Sequence, residues 1–182
     1  MKTIIIILSV ALLVIIGASV GVGMQAKKTD LYAIQENVDY DEVLDDAEPT
    51  LYYYYQNTCH YCNNIKPQVK QFAALINKTD GINFKVVDMK DKDNTNAWYD
   101  WKTHNEKYGE KTAATLNPDY KSEASEMKTV DDIEITGTPS VVYVKDGIIE
   151  DYEVGKDVFK AFDKVEEEFG IDYTFDESQY DN

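Results

Sequence analysis

The sequence TCHYC at residues 58–62 stands between a run of aromatic residues, LYYYY at 51–55, and a segment with helical periodicity. A short run of β-forming residues bounded by polar turn residues predicts a buried strand, and the apolar positions that follow predict a helix. Both cysteines of the chain, Cys59 and Cys62, therefore lie where a strand gives way to a helix. A thiol at a helix start faces unpaired backbone N–H groups and the positive end of the helix dipole, which favour its thiolate. The stretch thus predicts a reactive sulfur.

The chain begins with a segment long enough to span a membrane. Residues 4–24 carry no charge, and as a helix they would be about 31 Å long, close to the thickness of the hydrocarbon core of a bilayer. A cleavable signal peptide has a shorter apolar region and a cleavage site of small residues, for which 19–21 and 21–23 are fair substitutes. We expect an uncleaved signal anchor behind a leader at 1–3, with cleavage as the alternative.

The charges that flank this segment do not fix its orientation. Lys2 precedes it, whereas Lys27 and Lys28 follow it, so the count of positive charges is close to a tie. The short leader resembles an export signal, and disulfide formation is favoured outside the cytoplasm. We therefore expect a single-pass cell-membrane protein whose remaining chain lies outside the cytoplasm, on a short stalk at 25–30.

Composition limits what this outer part can do. Its length suits one domain with its own core. The net charge is −16, from 34 acidic and 18 basic residues, and every basic residue is a lysine. Such a chain repels phosphate groups, which argues against nucleic-acid binding. We interpret the acidity as a solubilising surface.

Local patterns predict the elements on both sides of the cysteines. The helix after Cys62 and a strand at 82–88 complete a strand-helix-strand crossover, which implies a parallel pair. The remaining expected elements are an edge strand at 31–34, a short helix at 40–46, strands at 141–144 and 148–154 joined by a turn at 145–147, and a helix at 157–169.

Together these features resemble the thioredoxin family. ITGTPS at 135–140 is similar to the cis-proline loop of that family. Four residues after the C-x-x-C pair are also spaced as in the thioredoxin family: Pro67, Pro139, Gly147 and Gly155. The resemblance covers about 47–90 and 131–170, and it implies an α/β thioredoxin-like domain at 31–170.

The resemblance also implies a dithiol–disulfide cycle. Cys59 would be the attacking or attacked sulfur, and Cys62 would resolve the mixed disulfide. His60 and Tyr61, between them, would tune the pair. A hydrogen bond or charge from His60 would stabilise the Cys59 thiolate, and stabilising the reduced form makes the disulfide a stronger oxidant.

The cis-proline loop would bind the substrate. A cis Pro139 would place the backbone of Thr138 beside the sulfurs, where it could pair with an extended client chain as an added strand.

The chain departs from the thioredoxin pattern by an insert, at about 90–130. We expect a helix there at 97–108, with three aromatic residues near one face: Trp98, Trp101 and Tyr108. Related oxidases of the DsbA class carry a larger helical insert at this place. We interpret the aromatic residues as attaching the insert to the sheet rather than as a substrate groove.

A second departure is chemical. Thioredoxins place a buried carboxylate, which exchanges the proton of the second thiol, where this chain has Tyr53. Its replacement disfavours fast reduction of the thioredoxin type and leaves oxidation of a substrate possible.

Other chemistry is less well supported. A zinc site needs two ligands besides the cysteines, and only His60 and His104 remain, so we predict no metal and no cofactor. We expect His104 to be solvated and the acidic tail at 171–182 to be frayed or loosely docked.

The sequence therefore predicts a thiol-disulfide oxidoreductase, most readily an oxidant, with exported proteins or peptides that contain cysteines as substrates. A redox partner of unknown identity would restore the disulfide. Two alternatives stay open: an accessory or chaperone-like binding protein, as in bacteriocin transport, and an extracytoplasmic disulfide reductase.

Overall fold

The computed structural model describes residues 35–108 and 129–181. Within these ranges no helix is both long enough and apolar enough to cross a membrane. Four expected segments lie outside them: the leader at 1–3, the membrane anchor at 4–24, the stalk at 25–30 and the edge strand at 31–34.

A five-stranded mixed sheet forms the centre of the described residues. Its strands are β1 (Glu36–Asn37), β2 (Thr50–Tyr55), β3 (Asn83–Asp88), β4 (Ser140–Lys145) and β5 (Ile148–Val154). They lie in the order β1-β3-β2-β4-β5, with β1, β3 and β2 parallel and β4 antiparallel to both β2 and β5. The mixed α/β thioredoxin-like fold is confirmed, and the strand before the cysteines is its central strand.

Within the described ranges, three α-helices accompany the sheet: α1 (His60–Ile76), α2 (Trp101–Tyr108) and α3 (Val158–Phe169). α1 follows the cysteine pair as predicted, contains Pro67, and connects the parallel strands β2 and β3. The predicted turn between β4 and β5 is also present. Asp146 and Gly147 both have positive φ angles (53° and 72°), which suits a tight hairpin whose twist matches that of the strands.

The tyrosines of β2 alternate between two cores, because successive side chains of a strand point to opposite faces. Tyr53 and Tyr55 lie on the face covered by α1 and α3, where the Tyr53 ring centroid is 6.4 Å from that of Phe162. Tyr52 and Tyr54 pack on the other face, among buried aliphatic residues of the sheet and of the chain before β4. All four rings are fully buried, so the strand is held from both sides.

The chain between β1 and β2 forms less helix than expected. The pattern predicted a helix through residue 46, but only a 3₁₀ helix, Tyr40–Glu42, is present. The expected cap is there, since the backbone N–H of Asp39 donates to the Glu42 carboxylate (3.2 Å). The Asp46 carboxylate instead binds the Lys85 ammonium (2.8 Å) and the Tyr52 hydroxyl, so contacts with the sheet replace a further helical turn.

The start of the insert also differs from the expected helix at 97–108. A 3₁₀ helix, Lys92–Ala97, comes first, and Trp98 then forms a parallel bridge with Ile135. Two hydrogen bonds support the bridge: Ile135 N–H donates to the Ala97 oxygen (2.7 Å), and Tyr99 N–H donates to the Ile135 oxygen (3.1 Å). The prediction that Trp98 shares a helix face with the later aromatic residues was wrong, because pairing with a distant segment keeps its backbone extended.

The C-terminal tail is docked, not frayed. Gln68 on α1 exchanges two hydrogen bonds with the backbone of Asp176, at 3.1 and 2.6 Å. Phe175 inserts its ring into an aromatic cluster, which consists of Phe72, Phe159, Phe162, Tyr173 and Phe175. A last 3₁₀ helix, Glu177–Asp181, continues over α1. The tail is therefore part of the helical layer.

Replacing Phe175, the ring that anchors the tail in the aromatic cluster, should destabilise the protein. We expect Phe175→Ala to lower the free energy of unfolding by about 3 kcal/mol, because it deletes a buried aromatic ring and leaves a cavity. The neighbouring exposed Thr174→Ala variant should stay within about 0.5 kcal/mol of the wild type. Urea denaturation measures both. A loss below about 1 kcal/mol for Phe175→Ala would show that the tail is not part of the core.

Candidate active site

Cys59 is the N-cap of α1. Its φ and ψ angles are −71° and 119°, and its sulfur accepts a hydrogen bond from the backbone N–H of Cys62 (3.1 Å). The first turn of a helix leaves N–H groups without backbone partners, and here the cysteine sulfur takes one of them. The same hydrogen bond would stabilise negative charge on the Cys59 sulfur.

The two cysteines form a disulfide and differ in accessibility. Their Cα atoms are 5.2 Å apart. Cys62 is 1% exposed, whereas Cys59 is only partly buried. A reagent can therefore reach Cys59 more easily than Cys62.

The cis-proline loop meets Cys59 from the other half of the chain. The Thr138–Pro139 peptide bond is cis, as the resemblance implied. The carbonyl oxygen of Thr138 lies 3.2 Å from the Cys59 sulfur. Because a sulfur in a disulfide carries no hydrogen, this is a contact in the oxidised protein, and it becomes a possible hydrogen bond when Cys59 is a thiol. A hydrogen bond from the N–H of Gly155 to the oxygen of Pro139 (2.8 Å) holds the loop in place.

His60 and Tyr61 both lie at the surface beside the disulfide. The Nε2 atom of His60 is 3.3 Å from the side-chain amide nitrogen of Asn64, one turn along α1. The same amide nitrogen donates to the backbone oxygen of Tyr180 (3.2 Å). The His60 and Asn64 nitrogens are within hydrogen-bond distance, and the donor of that pair is set by the imidazole tautomer. In this arrangement His60 is paired with Asn64 and not with either sulfur, so its tuning of the thiolate stays a prediction.

Tyr180 is a site residue that the sequence did not reveal. Its ring stacks on that of Tyr61, with centroids 4.5 Å apart and planes 5° apart. Burial, the neighbouring Tyr61 and the carboxylates of Asp181 and Asp157 raise the pKa of Tyr180 to about 12. The available signal was the alternation of apolar residues early in the tail, which is typical of an extended segment with one buried face.

Tyr53 occupies the position of the thioredoxin carboxylate. Its side chain is fully buried, and its ring lies near those of Tyr55, Phe84 and Phe162, with centroids 6.3 to 6.4 Å away. The surroundings of the Tyr53 side chain are therefore aromatic. A carboxyl group in the place of Tyr53 would lie among aromatic rings, where burial favours its neutral form over the carboxylate.

The insert is joined to the cis-proline loop through its aromatic residues. Trp101 donates its indole N–H to the backbone oxygen of Thr136 (3.1 Å), near the start of the loop. His104, which we expected to be solvated, is only 4% exposed and its Nδ1 is 2.8 Å from the Tyr99 hydroxyl. The expectation was wrong because this side of α2 faces the protein. These contacts agree with the interpretation that the aromatic residues attach the insert to the sheet.

This geometry suits thiol–disulfide exchange. One accessible sulfur lies at a helix N-terminus, a second buried sulfur is within bonding distance, and a backbone carbonyl lies beside the first. A group that attacks Cys59 would release Cys62 into a buried position, from which it can attack the same sulfur in return.

The comparison with protein families agrees with the fold. The thioredoxin-like domain family matches residues 37–168. Among solved structures, the chain is similar to thioredoxin f2 from Chlamydomonas reinhardtii, at 12% identity over 74% of this chain and 95% of that chain, with a TM-score of 0.43. It is also similar to oxidised thioredoxin O2 from Arabidopsis thaliana, at 17% identity over 73% of this chain and 91% of that chain, with a TM-score of 0.43.

The comparison with curated proteins found no match. The family match nevertheless spans well over half of the sequence, from the end of β1 to the end of α3. The chain therefore belongs to the thioredoxin-like domain family.

Proposed function

We propose that this protein is a thiol-disulfide oxidoreductase that oxidises exported proteins or peptides through Cys59 and Cys62. The observation that carries the proposal is the environment of the Cys59 sulfur. It accepts the N–H of Cys62 at 3.1 Å and lies 3.2 Å from the carbonyl oxygen of Thr138. The first contact stabilises a thiolate, and the second marks where a client backbone can lie beside the reacting sulfur.

The oxidative reaction has two exchange steps. A client thiolate attacks the Cys59 sulfur, and the Cys59–Cys62 bond breaks with its electron pair on Cys62, which takes up a proton. A second client thiolate then attacks the client sulfur of the mixed disulfide, and Cys59 leaves with its electron pair. The client loses two electrons and becomes a disulfide, while the protein becomes a dithiol. A redox partner that carries a disulfide accepts two electrons from the dithiol and restores the Cys59–Cys62 bond.

Two features favour oxidation of the client over its reduction. The Cys62 N–H stabilises the departing Cys59 thiolate, and this lowers the free energy of the reduced protein. Tyr53 stands where thioredoxins keep the carboxylate that assists reduction, and its buried aromatic surroundings do not favour a charge. The exported location is supported by the uncharged residues 4–24, which would anchor the domain to the membrane.

Trapping the first intermediate tests the exchange mechanism. In the Cys62→Ala variant the Cys59 thiolate should attack a peptide disulfide and remain bound to it, because no second cysteine can release the peptide. Mass spectrometry under non-reducing conditions measures the adduct. The matched Cys59→Ala variant should form at least about tenfold less adduct, since its remaining thiol is buried. Equal adducts from both variants would contradict the assignment of Cys59. Full biological activity without either cysteine would favour a binding protein instead.

Labelling in intact cells tests the location and the order of reactivity together. After mild reduction, a membrane-impermeant maleimide should label Cys59 at least about tenfold faster than Cys62, because Cys59 is the more accessible thiol and caps α1. In denatured protein the two rates should be equal. Labelling of Cys59 only after the cells are lysed would overturn the exported location, and faster labelling of Cys62 would overturn its role as the resolving cysteine.

A further inference from the structure

Two stacked tyrosines form one wall beside the disulfide. Tyr61 belongs to the C-x-x-C motif, and Tyr180 comes from the C-terminal segment. Their nearly parallel rings are 4.5 Å apart. Tyr180 is almost completely buried, whereas Tyr61 is 43% exposed, so the stack presents mainly Tyr61 to solvent. Among the residues that the structure describes, only Ile148 is another large hydrophobic residue with comparable exposure, and it lies at the start of β5, beside the hairpin turn.

The wall continues to the cis-proline loop. The Tyr180 hydroxyl lies so close to Gly155 that a β-carbon at that position would come within 3.2 Å of it. Gly155 in turn donates its N–H to the oxygen of Pro139. Tyr180 therefore fills the space between the C-x-x-C motif and the loop that contacts Cys59. Tyr61, inside the C-x-x-C motif, supplies the exposed side of this contact.

The stack is fixed before any client arrives. Tyr180 also accepts the Asn64 amide hydrogen at its backbone oxygen (3.2 Å), and its ring lies edge-on to Phe159, with centroids 6.4 Å apart. The preceding Phe175 anchors the segment in the aromatic cluster. A side chain that is already held in place loses little conformational freedom when a ligand contacts it, so more of the contact energy is available for binding.

The wall is also uncharged. The pKa of Tyr180 is raised to about 12 by burial and by the nearby Tyr61, Asp181 and Asp157, so its hydroxyl keeps its proton at physiological pH. A flat, neutral and pre-positioned aromatic surface favours contact with another apolar or aromatic side chain.

We propose that Tyr61 and Tyr180 form a specificity surface, which receives an apolar or aromatic side chain that flanks the reacting cysteine of the client. Tyr180 acts through Tyr61, by holding its ring at a fixed angle beside Cys59 and Cys62. The proposal rests on the thiol–disulfide exchange described above, and it adds the class of client that reacts fastest.

The test compares two short peptides that each contain one cysteine, flanked on both sides by phenylalanine or by serine. The rate constant for mixed-disulfide formation with the oxidised protein is measured by acid quench and mass spectrometry. Each rate is divided by that of the same peptide with glutathione disulfide, which removes differences in thiol reactivity. The wild-type protein should prefer the phenylalanine peptide by about fivefold, the effect of one aromatic contact.

Three variants separate the wall from the rest of the tail. Tyr180→Ala should reduce the preference to less than about twofold, whereas Tyr180→Phe should keep it, because the ring and not the hydroxyl makes the stack. Tyr173→Ala is the matched control. It removes another tail tyrosine that contacts Phe72 and Gln71, on α1 but away from the cysteines, and it should keep the wild-type preference.

Each other outcome is decisive. Equal rates for both peptides with the wild-type protein would overturn the specificity surface but leave the exchange function intact. A faster reaction of the phenylalanine peptide with Tyr180→Ala would show that the tail covers the client surface instead of forming it. An equal loss of preference in Tyr173→Ala would assign the effect to tail docking. No exchange of the wild-type protein with either peptide or with dithiothreitol would overturn the proposed function as well.

Discussion

The pairing of β2 with β4 is the constraint on which the site depends. Tyr54 is opposite Ser140 in this antiparallel pair. The last residues of β2 and the first residues of β4 therefore lie at the same end of the two strands. Cys59 follows β2 and Thr138 precedes β4, and their sulfur and carbonyl oxygen are therefore only 3.2 Å apart. Two segments far apart in the sequence form one reaction centre because the central strand, buried on both faces, keeps this register.

Aromatic residues surround that centre on several sides. Tyr53 is buried in β2, the strand that leads to the cysteines; Trp101 links the insert to Thr136 in the cis-proline loop; and Tyr180 stacks on Tyr61. A protein with this much negative charge gains cohesion from rings, which bury large apolar areas without charge repulsion.

The elements close to the cysteines could be predicted because their signals are local. The strand at 148–154 and the turn at 145–147 were expected from the residues that follow the cis-proline loop, and the strand and the positive φ angle of Gly147 are found there. The expectations that were wrong, or that left alternatives open, concern residues whose partners are distant in sequence. Trp98 is extended because it pairs with Ile135, and the tail is docked because α1 and α3 together expose a groove of aromatic rings for Phe175. Neither partner can be recognised from the neighbouring residues alone.

The direction of electron flow is the central claim, and a redox titration of the Cys59–Cys62 pair tests it most directly. The purified protein is equilibrated with glutathione buffers, and the reduced fraction is measured by thiol labelling. The start of α1, with His60 beside the pair, stabilises the Cys59 thiolate and therefore the reduced protein. We expect a reduction potential of roughly −180 to −120 mV, near those of disulfide isomerase and DsbA. A potential at or below about −270 mV, the value of thioredoxin, would contradict the account and identify the protein as a reductant.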